Sequence, residues 1–318
     1  MIEAGAGMTE SGAGITESFG KRLIRVFGTS GHLCVGIDPH PYLLADWGLA
    51  DSGEGLREFG LRVVDAAAGR AGIVKPQVAF FERHGSAGYA ALEETIRAAR
   101  AAGLLVIADA KRGDLGSSVE AYGQAWLTPG APLEADAMTI SAYQGVGSIA
   151  APMELARQGG KGLFVLAATS NPEAFATQSA VIGSGVGSGD LAGRTVAASI
   201  VDEVNRGNEA GLASTVLDST VLDSTMLDVA GLGSVGVVIG ATVRLADFGI
   251  TSSDLVSMPI LGPGFGHQGA DYESIRAIYG SAASNVVVSS SRAILDAGPA
   301  DVAAAITAQA RELAKVLG

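Results

Sequence analysis

Leu104-Leu105-Val106-Ile107-Ala108-Asp109-Ala110-Lys111 is an apolar run that closes on charge, and Arg112-Gly113-Asp114 follows it directly. A continuous apolar stretch of this length is what a strand buried on both faces needs. The two-residue period of a strand puts Asp109 and Lys111 on one face, opposite Ala110. Similar runs recur at Leu33–Asp38, Ile73–Phe80, Ala137–Ser141, Gly162–Ser170, Val235–Thr242, Pro259–Gly264 and Asn285–Arg292, eight in all. Helical patterns separate them, at Gly55–Ala68, Gly88–Ala102, Val119–Trp126, Met153–Gln158, Asp271–Ile278 and Pro299–Leu317. In the last, Val302, Ile306, Ala310, Leu313 and Val316 form a stripe at helical spacing. Eight strands alternating with helices predict an α/β fold, a (β/α)8 TIM barrel; a doubly wound open sheet would not require eight.

Two tandem repeats interrupt this pattern. GAGMTES and GAGITES run from Gly5 to Ser18, and STVLD, STVLD and STMLD from Ser214 to Asp228. Units of seven and five residues fit no solenoid. The expected organisation is therefore an N-terminal extension with a leading helix over 1–28 and one catalytic barrel domain over 29–318. A surface insertion, about 176–233, is expected before the sixth strand, its path open between a short helix and a hairpin edge.

The chain has 318 residues, 33 Asp+Glu against 21 Lys+Arg and a net charge of −12. That balance argues against a nucleic-acid or anionic-membrane surface, so an anionic ligand needs a local basic pocket. Hydrophobic residues make up 48% and charged ones 17%, below the usual ~25%, as suits a well-covered core. The single cysteine, Cys34, excludes an internal disulfide framework and a multi-cysteine metal site. No apolar run approaches ~18 residues and the N-terminus lacks a signal-peptide pattern, so a soluble, cytoplasmic protein is expected.

In such barrels the chemistry sits at the C-terminal ends of the strands. The first run ends at Asp38, the second carries Lys75, and the third holds Asp109 and Lys111 with Asp114 just beyond. Charges at a barrel mouth are costly to desolvate, so these are either paired structurally or functional. A second signal lies late in the chain, where Gly262 to Gly269 form a Gly-rich loop and Arg292 closes the eighth run. Loops after strands seven and eight commonly hold a phosphate, through backbone N–H groups and a forked guanidinium. His40, His84 and His267 lie near strand ends and His32 precedes the first strand, none at metal-ligand spacing. They read as supporting or surface residues, and Cys34 as an inert buried thiol.

Taken together, Val35-Gly36-Ile37-Asp38, Lys75-Pro76-Gln77, Asp109-Ala110-Lys111-Arg112-Gly113-Asp114, Ala168-Thr169-Ser170-Asn171-Pro172, Gly240-Ala241-Thr242 and the Gly262–Gly269 loop resemble orotidine 5′-phosphate decarboxylases, in their longer bacterial form. The resemblance spans about Leu33 to Leu295. It implies a homodimeric barrel, pyrimidine (UMP) biosynthesis, and no metal or cofactor. Lys75, Asp109, Lys111 and Asp114 are then similar to the family's alternating charge network, with Asp114 reaching the partner subunit's site. Asp38 matches the position that holds the ribose hydroxyls, Ser170 a pyrimidine contact with Asn171 beside it, and Gln268 and Arg292 the phosphate grip. Ser118 matches a contact to the neighbouring subunit's substrate.

Chemistry gives the resemblance a mechanism. Losing CO2 from C6 leaves a carbanion that the pyrimidine π system cannot delocalise, so fixed charge must stabilise it, and Lys111 can do so and donate the proton. The rivals are a Mg-dependent sugar-phosphate lyase or synthase, a Schiff-base aldolase and a non-catalytic phosphate-ligand binding module. Lys75 disfavours Mg2+ at that place, and flanking aspartates keep the lysines protonated, against a nucleophilic role.

Overall fold

The structure is a computed structural model that describes residues 17–218, 231–266 and 269–318, with the side chains of 211–218 outside the description. Eight parallel strands close into a barrel in sequence order: β1 Leu33–Ile37, β2 Ile73–Pro76, β3 Leu105–Arg112, β4 Ala137–Ile140, β5 Gly162–Ala168, β6 Val235–Ile239, β7 Ile260–Pro263 and β8 Val286–Ser290. β8 returns to β1 with Val35 opposite Ser290, so no edge is left open. The helices are α1 Phe19–Ser30, α2 Pro41–Asp46, α3 Gly53–Ala67, α4 Val78–Glu82, α5 Gly85–Ala101, α6 Gly116–Leu127, α7 Ala150–Gly159, α8 Phe175–Gln178, α9 Val196–Asp218, α10 Ile275–Tyr279, α11 Arg292–Leu295 and α12 Gly298–Leu317. Each of the eight predicted strands is present, in the predicted order.

Strand periodicity sorts the side chains into two cores. Val35, Ile37, Val74, Val106, Met138, Val165, Val237, Ile260 and Val288 face outward into the layer between strands and helices. Cys34, Ile73, Leu105, Ile107, Ala137, Phe164, Val238, Leu261 and Val287 fill the barrel lumen. Two residues further along the same inward rows come Gly36, Lys75, Asp109 and Thr139. The lumen thus changes from apolar to polar toward the C-terminal ends of the strands.

Helices meet the outer core through their apolar stripes. In α3 the Ser52 hydroxyl accepts from the Gly55 N–H at 3.2 Å and caps the first turn, while Leu56, Phe59, Val63 and Val64 are buried. Gly60 lets α5 come close, since a Cβ there would lie 2.3 Å from Thr95 Oγ1. In α12 the predicted stripe buries Val302, Ile306 and Leu313, with Ala310 and Val316 packed beside them.

Three regions differ from the sequence reading. The run Ile73–Phe80 is not one strand: β2 stops at Pro76 and Val78–Glu82 coils into α4. An apolar run carries no internal mark of where a strand becomes a helix. The 176–233 range contains α9, whose buried Ala197, Val201 and Val204 belong to the barrel's outer core. The first STVLD copy continues α9 to Asp218; residues 219–230 and the repeat from Gly5 to Thr16 lie outside the described residues. α1 is more than a leader, because it runs to Ser30 and closes the N-terminal end of the barrel. Its Phe19 is fully buried edge-on to Phe164, 6.0 Å between ring centroids, and Leu23 lies beside it.

This plug generates a stability prediction. Phe19→Ala empties a ring-sized space at the barrel floor and should cost about 3–5 kcal/mol. Urea unfolding of the two proteins measures it, and a loss under about 1 kcal/mol would show that α1 does not close the barrel core.

Candidate active site

Asp109 organises the polar end of the lumen. Its carboxylate is 8% exposed. Oδ2 accepts from Lys75 Nζ at 2.7 Å, and Oδ1 accepts from Lys111 Nζ at 2.5 Å and from the Thr139 hydroxyl at 2.9 Å. Burial alone would push the Asp109 carboxyl up, but the Lys75 and Lys111 ammoniums reverse it and hold it well below the usual carboxylate range. Burial would likewise push the fully enclosed Lys75 down, and the Asp109 and Asp38 carboxylates overcome it, so Lys75 stays above the ordinary lysine range. The buried Lys75–Asp109 pair, joined from the mouth by the half-exposed Lys111, satisfies what a lone buried charge could not.

The backbone that carries this array is irregular. β3 and β4 change register between Ala108 and Arg112, and Lys111 has φ +46. A left-handed conformation costs an L-residue roughly 1–2 kcal/mol, and among the described residues only Lys111 outside the glycines adopts positive φ. Arg112, next along, is anchored outward: it donates to the Ala110 carbonyl at 3.0 Å and to Glu82 Oε1 at 2.8 Å, with Tyr89 also bonded to Glu82.

Of the sequence candidates, Lys75, Asp109 and Lys111 are in direct contact, and Asp38 sits next to them after β1 with Oδ1 buried and unbonded. Asp114 is not part of this cluster. Its Oδ1 accepts the Leu115 N–H at 2.8 Å, and it forms no ion pair among the described residues. Ser118 lies exposed in the first turn of α6. Ser170 follows β5 and packs on Gly240 after β6, where a Cβ would fall 2.9 Å from the Ser170 Cβ. Asn171 is held within its own loop by the Thr169 hydroxyl at 2.8 Å and by Glu173.

The phosphate candidates are partly described. Arg292 opens α11 half-buried and without an ion pair among the described residues. Gly266 has φ +72 and faces Ala293, where a Cβ would lie 3.1 Å away, so the Gly-rich loop packs directly on the start of α11. Gln268 and His267 lie outside the described residues. His32 Nδ1 is 3.0 Å from the Val286 carbonyl, His84 Nε2 is 3.0 Å from Asp51, and His40 packs on Phe80. Burial pushes the Cys34 thiol up to about 12, which keeps it unreactive. Among the described residues no three His, Cys, Asp or Glu side chains gather as a metal-holding group.

Two polar neighbours of the array carry no role in the sequence reading, although Gln77 stands in the Lys75-Pro76-Gln77 stretch. Thr139 touches both Asp109 and Lys111, and its one signal was a polar residue inside Ala137-Met138-Thr139-Ile140. Gln77 bridges to Asp109 through the backbone and leaves Oε1 buried and unbonded at the mouth.

Residues 31–307 match the profile of the Orotidine 5′-phosphate decarboxylase / HUMPS family. The chain belongs to that family. The orotidine 5′-phosphate decarboxylase of Salinispora arenicola is 48% identical over 299 residues, covering 93% of this chain and 96% of its own length. That of Streptomyces coelicolor is 47% identical over 294 residues, covering 92% and 95%. A solved structure from Streptomyces avermitilis superposes with a TM-score of 0.82 at 41% identity, covering 98% of this chain and 99% of that one. The Leishmania donovani OMP decarboxylase does so at 0.71 and 27% identity, covering 94% and 99%. Within this orotidine 5′-phosphate decarboxylase family member, the charged array occupies the strand ends where (β/α)8 enzymes place their chemistry.

The array predicts a pH-dependent stability difference. Asp109→Asn leaves Lys75 buried without its anion and should cost about 3–5 kcal/mol near neutrality. Because the Asp109 pKa is lowered in the fold, its contribution is complete above the unfolded value of about 3.9 and is lost as pH falls through the folded value. Urea midpoints of wild type and variant should therefore converge below about pH 4. A constant gap down to the acid limit of folding would contradict the pairing.

Proposed function

We propose that this chain decarboxylates orotidine 5′-phosphate to uridine 5′-phosphate, with Lys111 stabilising and protonating the carbanion at C6. The observation that carries the reading is the Lys75–Asp109–Lys111 array, one ionised carboxylate held between two ammoniums at the barrel mouth. The electron pair left on C6 occupies an orbital in the ring plane, so positive charge placed beside it is what lowers the barrier. Opposite unit charges ~4 Å apart attract by about 4 kcal/mol at an effective dielectric of 20, a substantial share of an enzymatic rate enhancement.

The steps balance as follows. The C6–carboxylate bond breaks and its electron pair stays on C6. The Lys111 ammonium transfers a proton to that pair, CO2 departs, and Lys111 regains a proton from solvent. Asp109 lies beside the departing carboxylate, and the repulsion between them ends when CO2 leaves. Lys75 keeps Asp109 ionised throughout, and its own raised pKa opposes both a Schiff-base role and a metal at this place.

On this reading Asp38 binds the ribose hydroxyls, Ser170 and Asn171 the pyrimidine, and Arg292 with Gln268 the phosphate. Phosphate binding remote from C6 orients the ring for reaction. The catalytic unit is the barrel, closed by α1. The separation of Asp114 from the array supports its service to a second copy of the chain, as does Ser118 exposed nearby. Leu115, 59% exposed, and Tyr143, 84% exposed, lie on neighbouring loops joined by the Ser141 N–H to Arg112 carbonyl bond, and supply apolar surface for a homodimer. A single, fully buried cysteine suits a reducing, cytoplasmic setting.

Ultraviolet absorbance of orotidine 5′-phosphate with the protein and excess EDTA tests the activity. Wild type should convert it to uridine 5′-phosphate and Lys111→Ala should abolish turnover while still binding the product; an unchanged rate in the variant would remove Lys111 from the chemistry. Subunit sharing has its own readout. Equal mixing of inactive Asp114→Ala and Lys111→Ala chains should restore about a quarter of wild-type activity, since half the dimers are mixed and each holds one intact site. No recovery with mixed dimers demonstrated would place Asp114 in its own subunit's site or outside catalysis.

A further inference from the structure

Lys111 must be held at φ +46, a conformation that an L-residue does not favour and that a glycine at this position would adopt without strain. Four residue steps of β3, from Ala108 to Arg112, span two steps of β4, from Met138 to Ile140. Asp109, Ala110 and Lys111 therefore bulge out of the ladder on the β4 side, and the Lys111 N–H loses the partner a regular strand would supply.

Thr139 occupies that gap. The Lys111 N–H donates to Thr139 Oγ1 at 3.0 Å, and the Thr139 hydroxyl donates to Asp109 Oδ1 at 2.9 Å. The directions follow from chemistry, since an N–H can only donate and an ionised carboxylate can only accept. Lys111 Nζ then returns to the same Oδ1 at 2.5 Å, closing a ring through one hydroxyl, one carboxylate and the lysine itself. Thr139 is 1% exposed, so water cannot substitute for its hydroxyl without repacking. Its β-branch restricts χ1 and keeps the oxygen between the two groups.

We infer that Thr139 is a positioning residue whose hydroxyl locks the left-handed Lys111 backbone and so aims the ammonium at the reacting carbon. The inference rests on the decarboxylase reading for its kinetic consequence and on geometry alone for its structural one. Thr139→Val keeps the shape and removes the hydroxyl, whereas Thr139→Ser keeps the hydroxyl. A misplacement near 1 Å costs on the order of 10²-fold, so Thr139→Val should lose about that in kcat while KM and product affinity change by less than about threefold. Thr139→Ser should recover most of the loss. In the crystal, Thr139→Val should return Lys111 to negative φ and separate Nζ from Asp109 Oδ1.

Loss in KM and kcat alike, or equal loss in the valine and serine variants, would assign Thr139 to packing and overturn the inference. So would a folded Thr139→Val with wild-type kcat or unchanged Lys111 geometry. Thr139→Ala replaces the valine variant if that chain does not fold, and failure of both to fold beside an active serine variant would also mean a structural role. A wild-type protein that leaves orotidine 5′-phosphate unconsumed would defeat the decarboxylase reading alone, with the Lys111 geometry of the variant crystal still deciding the role of Thr139.

Discussion

A buried carboxylate shared by two ammoniums governs the upper half of this barrel. Asp109 could not remain ionised at 8% exposure without Lys75 and Lys111, and neither its depressed pKa nor the raised pKa of Lys75 survives without the other partner. The array draws β2 and β3 together above the last ladder pair, Val74 with Val106, where Gln77 and Asp109 form an isolated bridge. It also fixes two cations at known positions before a substrate arrives. That preorganisation is what electrostatic catalysis needs, because charges already paired and oriented need little rearrangement when a carbanion develops.

The rest of the fold makes such an array tolerable. Below it, Ile73, Leu105, Ile107, Ala137 and Phe164 fill the lumen, and Phe19 and Leu23 of α1 close its floor. Water is kept from one end by packing, so the polar groups collect at the other. Parallel strands with period-two side chains produce this layering automatically: Ile73 and Lys75, or Ile107 and Asp109, differ only in how far along an inward row they stand. The outer faces of the same strands bury Val74, Val106 and Val165 against the helices, which keeps the strand ends rigid.

The ladder shifts register in two places, between Ala108 and Arg112 of β3 and between Leu166 and Ala168 of β5, and the first carries the charged array. β3 leaves the ladder only between Ala108 and Arg112, and positive φ at a non-glycine residue falls on Lys111. Arg112 secures the outer side through Glu82 and Tyr89, while Thr139 secures the inner side. Strain placed at Lys111 and over-determined by its neighbours accords with the use of rare backbone conformations at functional sites.

Much of this was legible in one dimension. The eight strands, the stripe of α12 and the strand-end positions of Asp38, Lys75, Asp109 and Lys111 follow from local periodicity and from the cost of burying charge, which neighbouring residues alone express. Other features depend on partners distant in the chain. Thr139 meets Asp109 across 30 residues, Gly266 meets Ala293 across two elements, and the bulge that turns Lys111 left-handed exists only relative to β4. The end of β2 at Pro76, inside the apolar run Ile73–Phe80, likewise shows only in the fold. The sequence by itself determined which residues carry charge and on which face of which strand. Only the tertiary structure decided how those strands align, and alignment sets which charges touch.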